Sequence, residues 1–530
     1  MPPTIQGLLL GRVDRLREAT RHVLQEAAVL GPVFDVALLR EVASQPVTLA
    51  AALAELRSGD FLEDAGEAAD GSAADAAQDR RYRFANALLQ EVAYQSLLLR
   101  HRTELHARAG EALEVIVAGR PARIEDIEAL ARHWGLGGDR RKAPRYLVAA
   151  GDWARGLYAN DDAIQHYERA LATLAQSEAP AGEVSTVRER LADILAPLGR
   201  RAEVLAHYDA ILAAAATAGD RPTQARLERK LAILSWDAGD RSGAAARLRA
   251  GLELMADHPD SIELAHLYHE MGRQAFRSGD NEGAVAWAER ALAEAERLGA
   301  DLAGPDGPGA AGRAVEVASA VAQAYNTLGV ALARMGRLQD AVARIEQSVA
   351  VAEAQDLMQA VCRGYTNLGV LYSTLDPKRA IDTCLRGLET AKKIGDLGLQ
   401  SRLNTNLAVA YCALTNRCEE RGLSAAQTAL DLDRQLGQLD HLAVPLIVLG
   451  QIQQCHGDPE LARGYYQEAL ALVEPTGEPQ FLFPCYDGLA TLYLDRDDHV
   501  RAEEFMRKAQ QVCEQAELDP ESFVVLPFLE

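Results

Sequence analysis

No Gly-Lys dipeptide occurs anywhere in the 530-residue chain. A phosphate loop of the form G-x-x-x-x-G-K-[ST] needs that lysine and the backbone cradle before it, so nucleotide binding of this kind is excluded. There is no G-x-S-x-G elbow, and no cysteine has a histidine placed by a protease signature. Catalysis is therefore not indicated, and no cofactor or metal is expected. Cysteine is missing from the whole first part: all seven lie from Cys362 onward, with no C-x-x-C pair. Widely spaced thiols on helical segments read as reduced core residues of an intracellular protein. Aromatics make up only 5% of the chain, and strand signals are almost absent. No signal-peptide pattern opens the sequence and no apolar run is long enough to cross a bilayer, so a soluble, cytoplasmic protein without a membrane partner is expected. Positive charge is also short. The formal net charge of −22 argues against a nucleic-acid partner.

What the chain does have is a ruler. In "AYNTLGVALARMGRLQDAVARIEQSV", Gly329, Gly336 and Ala341 stand seven and twelve residues apart, and the offsets return at Gly272, Gly279, Ala284 and at Gly450, Gly457, Ala462. Ala232, Gly239 and Ala244 repeat them. The anchors in order are Gly151, Ala192, Ala232, Gly272, Gly329, Gly369, Ala408, Gly450 and Ala490, mostly about 40 residues apart. The single long separation, from Gly272 to Gly329, contains "GADLAGPDGPGAAGR", whose Gly and Pro cannot continue a helix. Small residues at the anchor and twelve further on let two helices approach closely, and Gly or Asp between them suits a tight turn. Apolar residues at three-to-four spacing give each helix one buried stripe. These marks, with aromatic "YYQEAL" and "HYERAL" in the second helix, resemble the tetratricopeptide repeat, whose usual unit is about 34 residues. The expectation is an all-α superhelical solenoid of nine helix pairs in which each unit contacts only its neighbours.

Residues 1–120 do not carry the full ruler. "PTIQGLLLGRVDRL", "EATRHVLQEAAVLG" and "DVALLREVA" read as three helices, followed by a shorter one in "TLAAALAELRSG". Two extended stretches, "DFLED" and "RRYRFAN", flank a small acidic insert at about 64–80, expected to be mobile. Helices followed by a hairpin predict a winged-helix-like domain. The remaining boundaries are a first part of the array at 121–298, a Gly/Pro-rich loop at 299–313, a second part at 314–516 and a tail at 517–530. "PPTIQGLLLGRVDRL", "RYRFANALLQEVAYQSLLLRHRTELHARAGEALE" and "LARHWGLGGDRRKAPRYLVAAGDWA" resemble the segment after the nucleotide-binding domain in bacterial signal-transduction ATPases of the STAND type, especially those fused to class III adenylate or guanylate cyclases. In that family the order is cyclase, P-loop ATPase, winged helix, then repeat array. Asn86 departs from it, standing where a histidine is common, and the P-loop and cyclase are not in this sequence. On this resemblance the chain is either the sensor half encoded separately or a fragment of a longer protein.

Such an array binds a ligand on the concave face lined by its first helices. Counting from each anchor, one helical stripe collects Arg190, Arg226, Arg229, Lys230, His266, His269, Arg273, Arg277, Asn326, Arg334, Arg363, Asn367, Arg402 and Asn406. The stripe is biased toward basic residues, although Glu189, Asp193, Asp237 and Glu270 oppose them. Asn367 in "YTNLG" and Asn406 in "NTNLA" resemble the asparagines of kinesin-light-chain-like arrays, which implies hydrogen bonds to a peptide backbone. An amide both donates and accepts, so it grips without choosing a side chain. The arginines would select carboxylates. His266, His269 and Glu270 place two imidazoles one turn apart, but too few ligands accompany them for zinc. The "TLAAALAELRSG" helix offers only Arg57 to DNA, and the nearby insert is acidic. The expected function is a non-enzymatic sensor or scaffold that binds a protein or peptide of acidic character. On the resemblance it would be the regulatory half of a signal-transduction ATPase or nucleotide cyclase system, with a separate ATPase or cyclase subunit as a further partner. The alternative is a fragment of an ATP-binding adenylate or guanylate cyclase, or a transcription regulator contacting DNA through the winged helix.

Overall fold

The computed structural model describes residues 3–67, 80–118, 123–301, 310–415, 418–436, 439–516, 520 and 529. Most of the expected acidic insert, most of the Gly/Pro-rich loop and nearly all of the tail lie outside these residues. Two compact units form, Met1–Leu191 and Ala192–Glu530.

The first unit opens with helices Pro3–Asp14, Glu18–Leu30, Val36–Val42 and Leu49–Ser58, matching the four read from sequence. Its sheet has three strands: β1 (Val33–Asp35), β2 (Leu62–Glu67) and β3 (Arg80–Phe84), with β3 central and both pairings antiparallel. Alternation along β3 buries Tyr82 and Phe84, which pack on Phe34, while Arg81 and Arg83 face outward and pair with Asp35 and Glu63, each at 3.0 Å. Arg57, the one cation of the fourth helix, lies over the Tyr82 ring. Asn86 caps the next helix, Ala87–Gln95, by accepting the Leu88 amide at 2.7 Å. Any short acceptor serves that position, which accounts for asparagine there.

Helices Leu99–Val117 and Ile124–Gly137 follow, joined by a buried relay. Arg132 donates to His133 Nε2 at 3.3 Å, His133 Nδ1 and His106 Nδ1 are 3.0 Å apart, and His106 Nε2 meets the Tyr94 hydroxyl at 3.0 Å. An arginine only donates, so His133 Nε2 accepts and its single proton sits on Nδ1; His106 then accepts at Nδ1 and donates from Nε2. Both rings are neutral. Burial, with Arg132 second, pushes His106 down to about 4 and His133 to about 3. Arg132 also bonds the Leu30 carbonyl, tying this pair to the N-terminal helices. Lys142–Gly156 and Asn160–Leu174 complete the described pairs of this unit, with Gly151 seated against Tyr167.

The rest is an all-α solenoid, with no strand among its described residues. In each pair the first (A) helix is followed by a second (B) helix: Arg221–Asp237 with Arg241–Leu254, Ile262–Arg277 with Asn281–Asp301, Ala310–Arg334 with Leu338–Ala354, and Met358–Leu375 with Pro377–Ile394. Leu397–Thr415 with Leu423–Leu436, Leu439–His456 with Pro459–Val473, and Pro479–Leu494 with His499–Ala516 continue the series. The ruler now has a physical meaning. A Cβ on Gly329 would lie 2.4 Å from Ile345, and one on Gly450 would lie 2.7 Å from Tyr466, so the anchor must be small because a large B-helix residue sixteen positions on lies across it. Gly239 and Gly279 end their A helices at φ 82° and 88°, where a side chain is strained, and Asp240 and Asp280 then cap the B helices. Cys362, Cys384 and Cys485 are core residues as expected, but Cys455 is exposed. Among the described residues no helix is long and apolar enough to cross a membrane.

Candidate functional site

Successive A helices pack closely on one another and successive B helices do not, so the A helices line the inside of the curve.

In the first unit, Arg190 bonds Asp152 at 2.6 Å. The other thirteen stripe residues lie in the second unit. Arg229 grips Glu263 from Nε and Nη2 at 2.5 and 3.1 Å, Lys230 reaches Asp193 at 2.6 Å, Arg273 bonds Glu270 at 2.9 Å and Arg277 approaches Asp237 at 3.6 Å. Burial lowers the Arg229 pKa, but the Glu263, Glu270 and Asp193 carboxylates outweigh it and hold the guanidinium charged. Arg226 contacts the Thr223 hydroxyl at 3.4 Å. Arg363 and Arg402 are half-buried on the next A helices.

The asparagines, expected to bond a peptide backbone, are turned to neighbouring helices instead. Asn326, Asn367 and Asn406 are buried: Asn367 donates to Asn326 Oδ1 at 3.0 Å, and Asn406 donates to the Thr366 carbonyl at 2.9 Å. Adjacent A helices are close enough for a four-atom side chain to bridge them. Arg334 is buried as well, donating to the Phe276 carbonyl and lying 3.8 Å from the Phe276 ring centre.

Open hydrogen-bonding capacity remains on Ile262–Arg277. His266 Nδ1, His269 Nε2 and Gln274 Nε2 are buried atoms without a partner, and His269 is 4% exposed. Burial, then Arg229, pushes His266 down to about 4; burial, then Arg273 and Arg363, holds His269 well below the usual imidazole range. Neutral imidazoles and an amide supply donors and acceptors suited to peptide groups. Sequence reasoning named the histidines but missed Gln274 and Glu263, which sit at the edges of the stripe.

A family model for the tetratricopeptide repeat matches residues 321–354. No curated protein matches the chain. Among solved structures, the chain is similar to a Rap protein complexed with competence and sporulation factor, at 13% identity over 71% of this chain and 98% of that one, with a TM-score of 0.48. It is also similar to the Rap conjugation gene regulator of plasmid pLS20 in complex with the Phr* peptide, at 14% identity over 70% and 95%, TM-score 0.45. A third likeness is a Signal Transduction ATPase with Numerous Domains from Pyrococcus horikoshii with a tetratricopeptide repeat sensor, at 12% identity over 96% of this chain and 66% of that one, TM-score 0.41.

Proposed function

We propose that the chain is a non-enzymatic protein- or peptide-binding sensor or scaffold whose ligand lies along the inner A-helix face, centred on Ile262–Arg277. The supporting observation is the set of unpartnered buried atoms on His266, His269 and Gln274. Buried polar atoms in folded proteins are nearly always satisfied; these three are closed off as the helix stands, so a bound chain would meet them once their side chains turn outward. The stripe's cations modify the expected ligand. Arg229, Lys230, Arg273 and Arg277 already face carboxylates, so an acidic ligand must compete with Glu263, Asp193, Glu270 and Asp237. Peptide groups face no such competitor. The ligand is accordingly read as an extended peptide held through its main chain, with acidic side chains a secondary preference. On the resemblance to STAND-type proteins, occupancy would regulate an ATPase or nucleotide cyclase partner.

The test uses a phage-displayed library of random dodecapeptides against the full chain. The reading predicts captured peptides whose affinity falls by about 1 to 3 kcal/mol in the His266→Ala/His269→Ala double variant. Retention of full affinity in a folded double variant would move the ligand elsewhere.

A further inference from the structure

Two contacts in the second unit join segments separated by the same length of chain. Arg241, in the first turn of Arg241–Leu254, bonds Glu478, the residue capping Pro479–Leu494, across 237 positions. Gly199 meets Leu436 across the same interval: a Cβ at Gly199 would lie 2.8 Å from Leu436 Cδ2 and 3.4 Å from its Cα. Equal separations at two independent places are what a superhelix gives when one turn comes round onto the next.

The first contact is built as a part-buried charge cluster. Side-chain exposure is 28% for Arg241 and 16% for Glu478. Arg241 also lies over the Trp236 ring at 4.0 Å, with Arg277 over the same ring at 5.6 Å. The second Glu478 oxygen accepts from Gln480 at 2.8 Å. Arg334, which bonds the Phe276 carbonyl, feels the same carboxylate through space: burial pushes its guanidinium down to about 10, and the Glu478 charge opposes that shift. Arg334 and Arg277 belong to the inward stripe, so the cluster joins the binding face to the contact between turns.

We propose that Arg241 and Glu478 form a latch that holds successive turns of the array together and controls entry of ligand to the inner face. The control of entry rests on the peptide-binding reading above; the latch itself does not. With the latch shut, an extended chain cannot slip between the turns. Parting the turns costs this part-buried pair, and a ligand that rearranges Arg277 or Arg334 shifts that cost.

The test compares the full chain with Arg241→Gln, Glu478→Gln, the double variant and the charge-preserving Arg241→Lys. Each neutral variant should keep its helical circular dichroism yet show a larger radius of gyration by X-ray scattering. Amide exchange in Arg241–Leu254 and Pro479–Leu494 should be about tenfold faster. The double variant should open no further than either single, because the second substitution removes a contact already lost and relieves the unpaired charge, and Arg241→Lys should stay close to wild type. Unchanged scattering and exchange in the neutral variants would overturn the latch, as would full additivity in the double. Entry is read from capture of the dodecapeptide phage: opened variants should bind about tenfold faster. Equal rates overturn the control of entry. Capture by neither protein overturns the inner-face reading and the control of entry with it, while scattering still decides the latch.

Discussion

Asn367 shows how one residue type serves two purposes. In sequence it reads as a peptide-gripping amide, and its Nδ2 is spent on Asn326 Oδ1 within the array. Asn367→Ala leaves the Asn326 oxygen without that donor in a buried setting, and Asn406→Ala does the same to the Thr366 carbonyl. Each should destabilise the array by about 1 to 3 kcal/mol, read as a lower denaturation midpoint together with faster exchange in Met358–Leu375. Loss of peptide affinity with unchanged stability would restore the sequence reading. The anchors, by contrast, were fully legible. Gly329 and Gly450 are small for the reason their spacing implied, and the unit around Gly369, one residue short of the ruler, places Cys384 where its neighbours place a residue sixteen on. Burial of the asparagines was not legible, because a helical stripe fixes direction and says nothing of how near the next helix comes.

Among the elements, the helices and the two flanking strands of the first unit followed from periodicity and breakers. Strand β1 did not. Three residues between Pro32 and a helix are too few to alternate, and Val33–Asp35 becomes a strand only because β3 offers an open edge. The histidine relay was invisible for a similar reason, since His106 and His133 stand on different helices and meet only after they pack. It carries a pH signature. Both histidines bind protons more weakly when folded than at their ordinary 6.5, so as pH falls below 6.5 the unfolded chain takes up protons that the folded chain refuses. Stability contributed by the relay is full above 6.5 and is lost progressively toward about 4 for His106 and about 3 for His133. The slope approaches about 1.4 kcal/mol per pH unit for each ring. Thermal melting of the full chain between pH 7 and 5 should show a falling midpoint, and His133→Asn should flatten that fall. An unchanged slope in the variant would mean that the relay is not the titrating element.

Beyond single elements, a ruler of about 40 residues dictates helix pairs, and within the second unit their packing puts A helices on the inner side. The inward face is polar, and most of its charges are internally paired. It keeps open hydrogen-bonding atoms at Ile262–Arg277, which supports reading it as a peptide-binding surface. The charge bias of the stripe was legible in sequence; its neutralisation was not, since Glu263 reaches Arg229 from the next unit, 34 positions away. The most direct measurement of the central claim is hydrogen exchange on the full chain with and without a saturating captured dodecapeptide. The account predicts slowed exchange concentrated in the A helices Ile262–Arg277, Ala310–Arg334 and Met358–Leu375, with the B helices little changed. Protection confined to the B helices or to the first unit would contradict it.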